Sequence, residues 1–468
     1  MLQSERLASL FSEPSTARSG STSGAPYKEL RYLVIDDQEA SRQTLKICIQ
    51  SMGGFSVDQA QNFVEAHHRI RAEIPDIIIC DYVLGSGRTG QQLLEELRRS
   101  DCLPDNVAFL MVTAERSYEQ VVAAVELAPD DYIIKPFSPE MLRTRMDRLI
   151  RKKIFFRHYY NRKRSGDLDG ALTELDALSA SDESKPYRFD ILRARAETLL
   201  KADRAEQALQ RYSEIIAIHP FPWALAGQAR ALRRLNRFEE ANSAVDGVLA
   251  MAPNYFDAYD LKAEICCDLG QFERAQQVLQ DIAVRTPRNW ARKRMLSSVA
   301  KLNGDFTTAQ RLIEEVIAND QIGGIPVTDR IELVRTALAG GDCELARAKL
   351  ADLPGEERAR ISTEERLNID CLETMLLDDE AGEKRFERMR TELGRIELSA
   401  EASLDAIQVA LRFADRELAD RLAERLLIGT EARRAFHAML EIYRQHNMEE
   451  HFRQLQRAVA ARRLQRKQ

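Results

Sequence analysis

Apolar residues follow two different rhythms along this chain. Between residues 31 and 150, short apolar runs alternate with amphipathic stretches. The runs are YLVID (32–36), FSVDQA (55–60), DIIICD (76–81), VAFLMVT (107–113) and DYIIKPF (131–137), and the amphipathic stretches are 39–51, 62–73, 90–99, 117–127 and 138–150. Short unbroken apolar runs read as strands covered on both faces, and strands alternating with helices specify a parallel sheet wound on both sides, because parallel neighbours need crossover connections. After residue 166 strand signals stop and the pattern is helical to the end, so the fold class is α/β followed by all-α.

The helical part repeats. Pro220, Pro253 and Pro287 are 33 and 34 residues apart, and Ala208, Ala241, Ala275 and Ala309 step by 33, 34 and 34. A second set of small residues, Ala196, Ala229 and Ala263, lies twelve residues before the first three of those alanines. The period predicts a two-helix unit, with small residues where paired helices touch and a Pro closing the second helix. DLGQFERAQQVLQDIAVRTP (268–287), with Gly270 at the turn and Phe272 ahead of Ala275, shows the unit well and resembles the tetratricopeptide repeat family. Units are expected near 188–220, 221–253, 254–287 and 288–320, with partial ones at 166–180 and 329–352. DRELADRLAERLL (415–427) continues the style without a clean period.

Composition sets limits on class. The chain has 468 residues, 44% apolar and 30% charged, enough for several globular domains. No apolar stretch is long enough to span a membrane and no cleavable signal is visible, so the expectation is a soluble, cytoplasmic protein. Seven scattered cysteines without a CxxC pair suit a reducing compartment and indicate neither disulfides nor zinc. A formal net charge of -6 gives no general drive toward nucleic acid. Residues 12–26, SEPSTARSGSTSGAP, lack bulky apolar side chains and read as a flexible leader.

The candidate chemistry sits at strand ends. Asp36 and Asp37 follow the first strand, Asp81 ends the third, Thr113 ends the fourth and Lys135 follows the fifth. In a parallel sheet these are carboxyl ends, where ligand crevices form. Three carboxylates, one hydroxyl and one ammonium suit a magnesium ion and a phosphoryl group, and the metal would explain why two like charges stand side by side.

On these residues, 30–150 resembles the receiver domain of two-component response regulators, with its flavodoxin-like five-stranded sheet. The resemblance implies that Asp81 accepts a phosphoryl group, that Asp36 and Asp37 hold magnesium, and that Val83 adds a backbone carbonyl to the metal. It further implies that Thr113 is the switch hydroxyl, Tyr132 the aromatic switch, and Lys135 the ammonium paired to the phosphoryl group, with Pro136 after a cis peptide bond. A histidine kinase or another phosphodonor is the implied partner. The loop YVLGSGRTG departs from the family pattern: Gly85 stands where Pro is common, and Gly90 comes one residue late.

The expected organisation is a leader at 1–28, a receiver at 29–150, a helical connector at 151–165, tetratricopeptide-like repeats at 166–325 and divergent helical hairpins at 326–468. His67 and His68 are expected on an exposed helix face, and Cys80 in the core. RKKIFFRHYYNRKR (151–164) interleaves cations with aromatics, as single-strand nucleic-acid binders do. It also fits a continuous connector helix running on from 139–150, the reading favoured here; the basic end at 456–468 reads as an exposed helix terminus. No catalytic constellation is visible after residue 166. The functional expectation is a phosphorylation-controlled regulator whose repeats bind a protein partner, with no dedicated output enzyme; homodimerisation is left open. The alternatives are nucleic-acid binding through 151–164 and an enzymatic output within 326–468.

Overall fold

The computed structural model describes residues 27–85, 89–99, 102–114, 129–287, 289–319, 327–352, 361–428 and 432–466. The leader expected at 12–26 and the helix expected at 117–127 lie outside them. The chain forms two compact units that divide between Leu261 and Lys262.

The first unit opens with five strands: β1 (Arg31–Ile35), β2 (Ser56–Ala60), β3 (Ile77–Asp81), β4 (Ala108–Thr113) and β5 (Asp131–Ile134). They form one all-parallel sheet in the order β2-β1-β3-β4-β5. Every residue of β3 and β4 is buried, as expected for central strands covered on both faces. Helices α1 (Glu39–Ser51), α2 (Phe63–Ala72), α3 (Gly90–Arg99) and α4 (Pro139–Phe155) follow the predicted stretches. The start of α4 is set by Ser138, whose hydroxyl caps the Met141 amide, and by Pro139 in the first turn. Tyr27, placed by the sequence reading in the leader, is buried against this core and donates to Asp147 Oδ1 at 2.8 Å.

The connector is not one continuous helix. It breaks at Phe156, after which α5 (Arg157–Arg164) packs against α6 (Leu168–Ala180). The reason is aromatic: Phe156 and Tyr159 are buried, and Phe156 packs against the rings of Phe155, Tyr160 and Tyr187. The rings of Phe156 and Tyr159 are therefore core surface rather than faces open to stacked bases, and half-buried Phe155 and Tyr160 pack against them. Lys152, Lys153, Arg162 and Lys163 of the same stretch are paired to Asp190, Asp130, Asp167 and Asp105.

The repeats have the predicted register. In the first unit, α7 (Arg188–Lys201) pairs with α8 (Ala205–Ile218) and α9 (Pro222–Arg234) with α10 (Phe238–Met251). Helix α11 (Phe256–Asp268) carries the division between units. The second unit continues with α12 (Phe272–Arg285), α13 (Trp290–Leu302), α14 (Phe306–Asn319), α15 (Val327–Ala339), α16 (Cys343–Ala351), α17 (Thr363–Met375), α18 (Asp379–Arg395), α19 (Ala400–Arg412), α20 (Arg416–Ile428), α21 (Ala432–Gln445) and α22 (Glu449–Arg466).

One local signature recurs at the turns. Gly166, Asp203, Asn236, Gly270, Gly304, Gly341, Ala414 and Asn447 all have positive φ, which reverses the chain after a helix. Five residues after each stands a buried residue: Ala171, Ala208, Ala241, Ala275, Ala309, Ala346, Ala419 and, in the last pair, Phe452. The signature thus extends through 415–427, where the sequence shows no clean period. In the second unit, half-buried Arg335 on α15 pairs with buried Asp405 on α19, while buried Asn368 on α17 bonds to both, tying three helices by charge-assisted hydrogen bonds.

Candidate functional site

The carboxyl edge of the sheet gathers the predicted residues. Asp36 directly follows β1 and is fully buried, Asp81 is the last residue of β3 and only 8% exposed, and Asp37 is exposed. Each offers a carboxylate oxygen within 4.8 Å of the others. Lys135, following β5, places Nζ 2.9 Å from Asp36 Oδ2 and 3.0 Å from Asp81 Oδ2. Its amide donates to the Thr113 carbonyl at 2.7 Å, so the end of β4 fixes the base of this side chain.

The charges do not balance. Three carboxylates face one ammonium. Burial pushes the Asp81 carboxyl above its ordinary range, and neighbouring Asp36 adds to the shift although Lys135 opposes it. Burial disfavours the Lys135 charge, yet hydrogen bonds to Asp36 and Asp81 outweigh it and hold the pKa above its ordinary value. A site with excess negative charge and hard oxygen donors fits a divalent cation.

Thr113 is buried and Tyr132 half-buried. Tyr132 pairs in register with Met111 and Ile134 with Thr113, so Tyr132 shares a sheet face with Met111 and Thr113. Val83 lies two residues past Asp81 and forms an isolated antiparallel bridge with Thr89. The Lys135–Pro136 bond is cis, as the resemblance implied. Cys80 is fully buried in the core, where desolvation pushes its thiol pKa up.

The two loop glycines that depart from the family pattern both serve the site. Gly85 has φ +64, and a Cβ there would stand 3.4 Å from Asp37 Oδ2. Proline, fixed at negative φ, cannot take that conformation. A Cβ on Gly90 would stand 2.3 Å from the Asp81 carbonyl oxygen and 2.8 Å from Cys80 Sγ, so only glycine lets α3 start this close to β3.

Sequence reasoning missed Arg42, whose Nη1 donates to the Asp36 carbonyl at 2.7 Å, while the Gln38 amide donates to Asp36 Oδ1 at 2.8 Å. The signal for Arg42 is its place in the first turn and a half after the acidic pair. His67 is a correction: it is buried, not exposed, with Nε2 3.6 Å from Glu96 Oε1, whereas His68 is exposed as expected. Four residues after Phe63 and three before Ile70, it falls on the buried face of α2.

Residues 32–147 match the response regulator receiver domain and residues 232–302 the tetratricopeptide repeat. The chain is 32% identical over 120 residues to the phosphate regulon transcriptional regulatory protein PhoB of Pseudomonas aeruginosa, a match covering 26% of this chain and 51% of that protein. It is 35% identical over 123 residues to the response regulator MprA of Mycobacterium avium, covering 26% of this chain and 52% of that protein. The chain thus spans about half the length of the curated relatives it matches. Among solved structures, the chemotaxis response regulator CheY4 of Vibrio cholerae aligns at 27% identity and TM-score 0.24, over 26% of this chain and 98% of that one. A tetratricopeptide repeat protein from Parabacteroides merdae aligns at 15% identity and TM-score 0.41, over 61% of this chain and 96% of that one. The protein therefore carries a response regulator receiver domain joined to tetratricopeptide repeats, a module associated with protein interaction. Among the described residues, no helix is long and apolar enough to cross a membrane.

Proposed function

We propose that this protein is a phosphorylation-controlled response regulator of a two-component system, with Asp81 as the phosphoryl acceptor and the repeats as a protein-binding output. The observation that carries the reading is Lys135, whose ammonium touches both Asp36 and Asp81 beside Asp37.

Asp36, Asp37, Asp81 and the Val83 carbonyl would hold magnesium, which when bound neutralises charge on the carboxylates and on an incoming phosphoryl group. An Asp81 carboxylate oxygen attacks phosphorus, and the bond from phosphorus to the donor, a histidine kinase imidazole or another phosphodonor, breaks with its electron pair leaving on the donor. Lys135 stabilises charge on the transferring oxygens. The product adds nearly two negative charges at pH 7. The Thr113 hydroxyl then donates to a phosphoryl oxygen, and Tyr132, on the same face, moves into the space released.

Repeats of this kind present surfaces to peptides or helices of partner proteins, which supports a protein-binding output; the proposal takes that output in place of a dedicated enzyme and sets the protein in the cytoplasm. Nucleic-acid binding through 151–164 is disfavoured, because Phe156 and Tyr159 are buried, half-buried Phe155 and Tyr160 pack against that same cluster, and Lys152, Lys153, Arg162 and Lys163 are already paired to carboxylates. Homodimerisation would be a further partner state.

The test is affinity capture with wild type and Asp81→Asn, each with and without Mg²⁺ and beryllofluoride, which mimics the phosphoryl group. A protein whose capture changes with beryllofluoride for wild type alone supports the reading. Identical capture in every condition removes phosphorylation control of the repeats.

A further inference from the structure

Lys153 is a largely shielded, half-buried cation the switch chemistry does not use. It projects from α4, with Nζ 2.7 Å from Asp130 Oδ1 and 2.7 Å from the Asp105 carbonyl. Asp130 immediately precedes β5, and its Oδ2 accepts from the Phe109 amide of β4 at 2.8 Å, with Arg98 of α3 3.6 Å away. Lys163, on α5, reaches Asp105 Oδ2 at 2.8 Å. Both lysines also stand against tyrosine rings of the connector, Lys153 5.4 Å from the Tyr160 centroid and Lys163 5.9 Å from that of Tyr159. The buried Tyr159 hydroxyl shares a 3.1 Å hydrogen bond with Thr198 of α7, the first helix of the first full repeat pair. Lys152 adds a 2.6 Å pair to Asp190 on the same helix.

A flexible tether exposes its charged side chains to water and leaves its backbone free. Here both lysines are mostly out of water, and buried charges persist only where partners are fixed. Asp130 sits at the amino-terminal end of the strand whose carboxyl end leads into Lys135, so the contacts grip the receiver on the edge opposite its phosphorylation site.

We propose that Lys153 and Lys163 clamp the connector to Asp130 and Asp105, making 139–164 a rigid strut that holds the receiver and the repeats up to Leu261 as one mechanical body. Buried carboxylates of ordinary proteins resist ionisation, yet Asp130 is held below the usual range: burial raises it, and Lys153 and Arg98 outweigh burial. The strut goes beyond the proposed phosphorylation and does not depend on it.

The experiment measures pulsed-EPR distances in the full chain between non-natural spin-labelled residues at exposed Gln50 on α1 and exposed Ser243 on α10, without phosphoryl mimic. Wild type is expected to give a single narrow distribution. Lys163→Asp, which sets like charges against each other, should broaden it at least twofold, and Asp105→Lys combined with Lys163→Asp should restore the narrow width. A broad distribution in wild type, an unchanged width in Lys163→Asp, or a combined variant that stays broad or fails to fold overturns the strut.

Discussion

The Lys135 ammonium stands 3.0 Å from Asp81 Oδ2, on the carboxylate assigned to receive the phosphoryl group. It also holds Asp36 at 2.9 Å, so removing it strands a fully buried carboxylate and leaves the three carboxylates without the ammonium that bridges Asp36 and Asp81. Lys135→Ala should slow phosphoryl uptake from a small-molecule donor by about 10²-fold, the scale of losing one preorganised electrostatic contact. Stopped-flow uptake with Mg²⁺ present checks it; an unchanged rate would remove Lys135 from the chemistry.

Asp37 is the exposed member of the acidic trio, so its replacement costs little folding stability. Asp37→Asn should weaken Mg²⁺ binding at least tenfold while the metal-free melting temperature stays within a degree or so of wild type, because a ligand stabilises only the state that binds it. Thermal melts across a Mg²⁺ series give the affinity directly. Equal Mg²⁺ dependence in both proteins would place the metal elsewhere.

Burial lowers the pKa of His67 below its ordinary 6.5, with Arg71 and His68 adding to the effect. A folded-state pKa below the unfolded one means the unfolded chain binds the proton more readily, so stability falls as pH drops through 6.5 and levels off below the folded value. His67→Gln should flatten the stability profile between pH 7 and pH 5 relative to wild type, as read from urea midpoints. Parallel profiles would mean His67 gains no proton on unfolding in that window.

Ala414 occupies the left-handed turn position that Gly270, Gly304 and Gly341 fill in other helix pairs, at φ 58. An L-residue pays about 1–2 kcal/mol there, partly offset by the extra freedom glycine has in the unfolded chain. Ala414→Gly should therefore stabilise the second unit by about 0.5–1 kcal/mol, and Gly270→Ala should destabilise it by about 1 kcal/mol, measured by urea unfolding. Destabilisation by Ala414→Gly would contradict the repeated-turn account.

Much of this architecture was legible in the sequence because two strong periodicities carry it. The apolar runs mark all five strands, and the carboxyl ends of a parallel sheet bring Asp36, Asp81 and Lys135 together whatever the loops do. Ala208, Ala241, Ala275 and Ala309 are fully buried because only a small side chain fits where paired helices touch. What stayed hidden depends on side-chain geometry between elements distant in sequence. The break at Phe156 follows from where Tyr187 sits, and the lysine contacts to Asp105 and Asp130 follow from how α4 lies across the sheet. The turn signature after residue 352 is not legible because the regular alanine step breaks off between Ala346 and Ala419 and Phe452 replaces the last alanine. His67 sits on the buried face of α2 because it falls four residues after Phe63 and three before Ile70, a placement its charged neighbours Glu65 and Arg69 obscure.

The most direct test of the account is to locate the acyl phosphate. The full chain is incubated with Mg²⁺ and a small-molecule phosphodonor, reduced with borohydride to convert aspartyl phosphate to homoserine, digested, and read by mass spectrometry. The account predicts homoserine at position 81 alone, absent from Asp81→Asn and from protein treated without Mg²⁺. Modification at another carboxylate, or none at all, would contradict it.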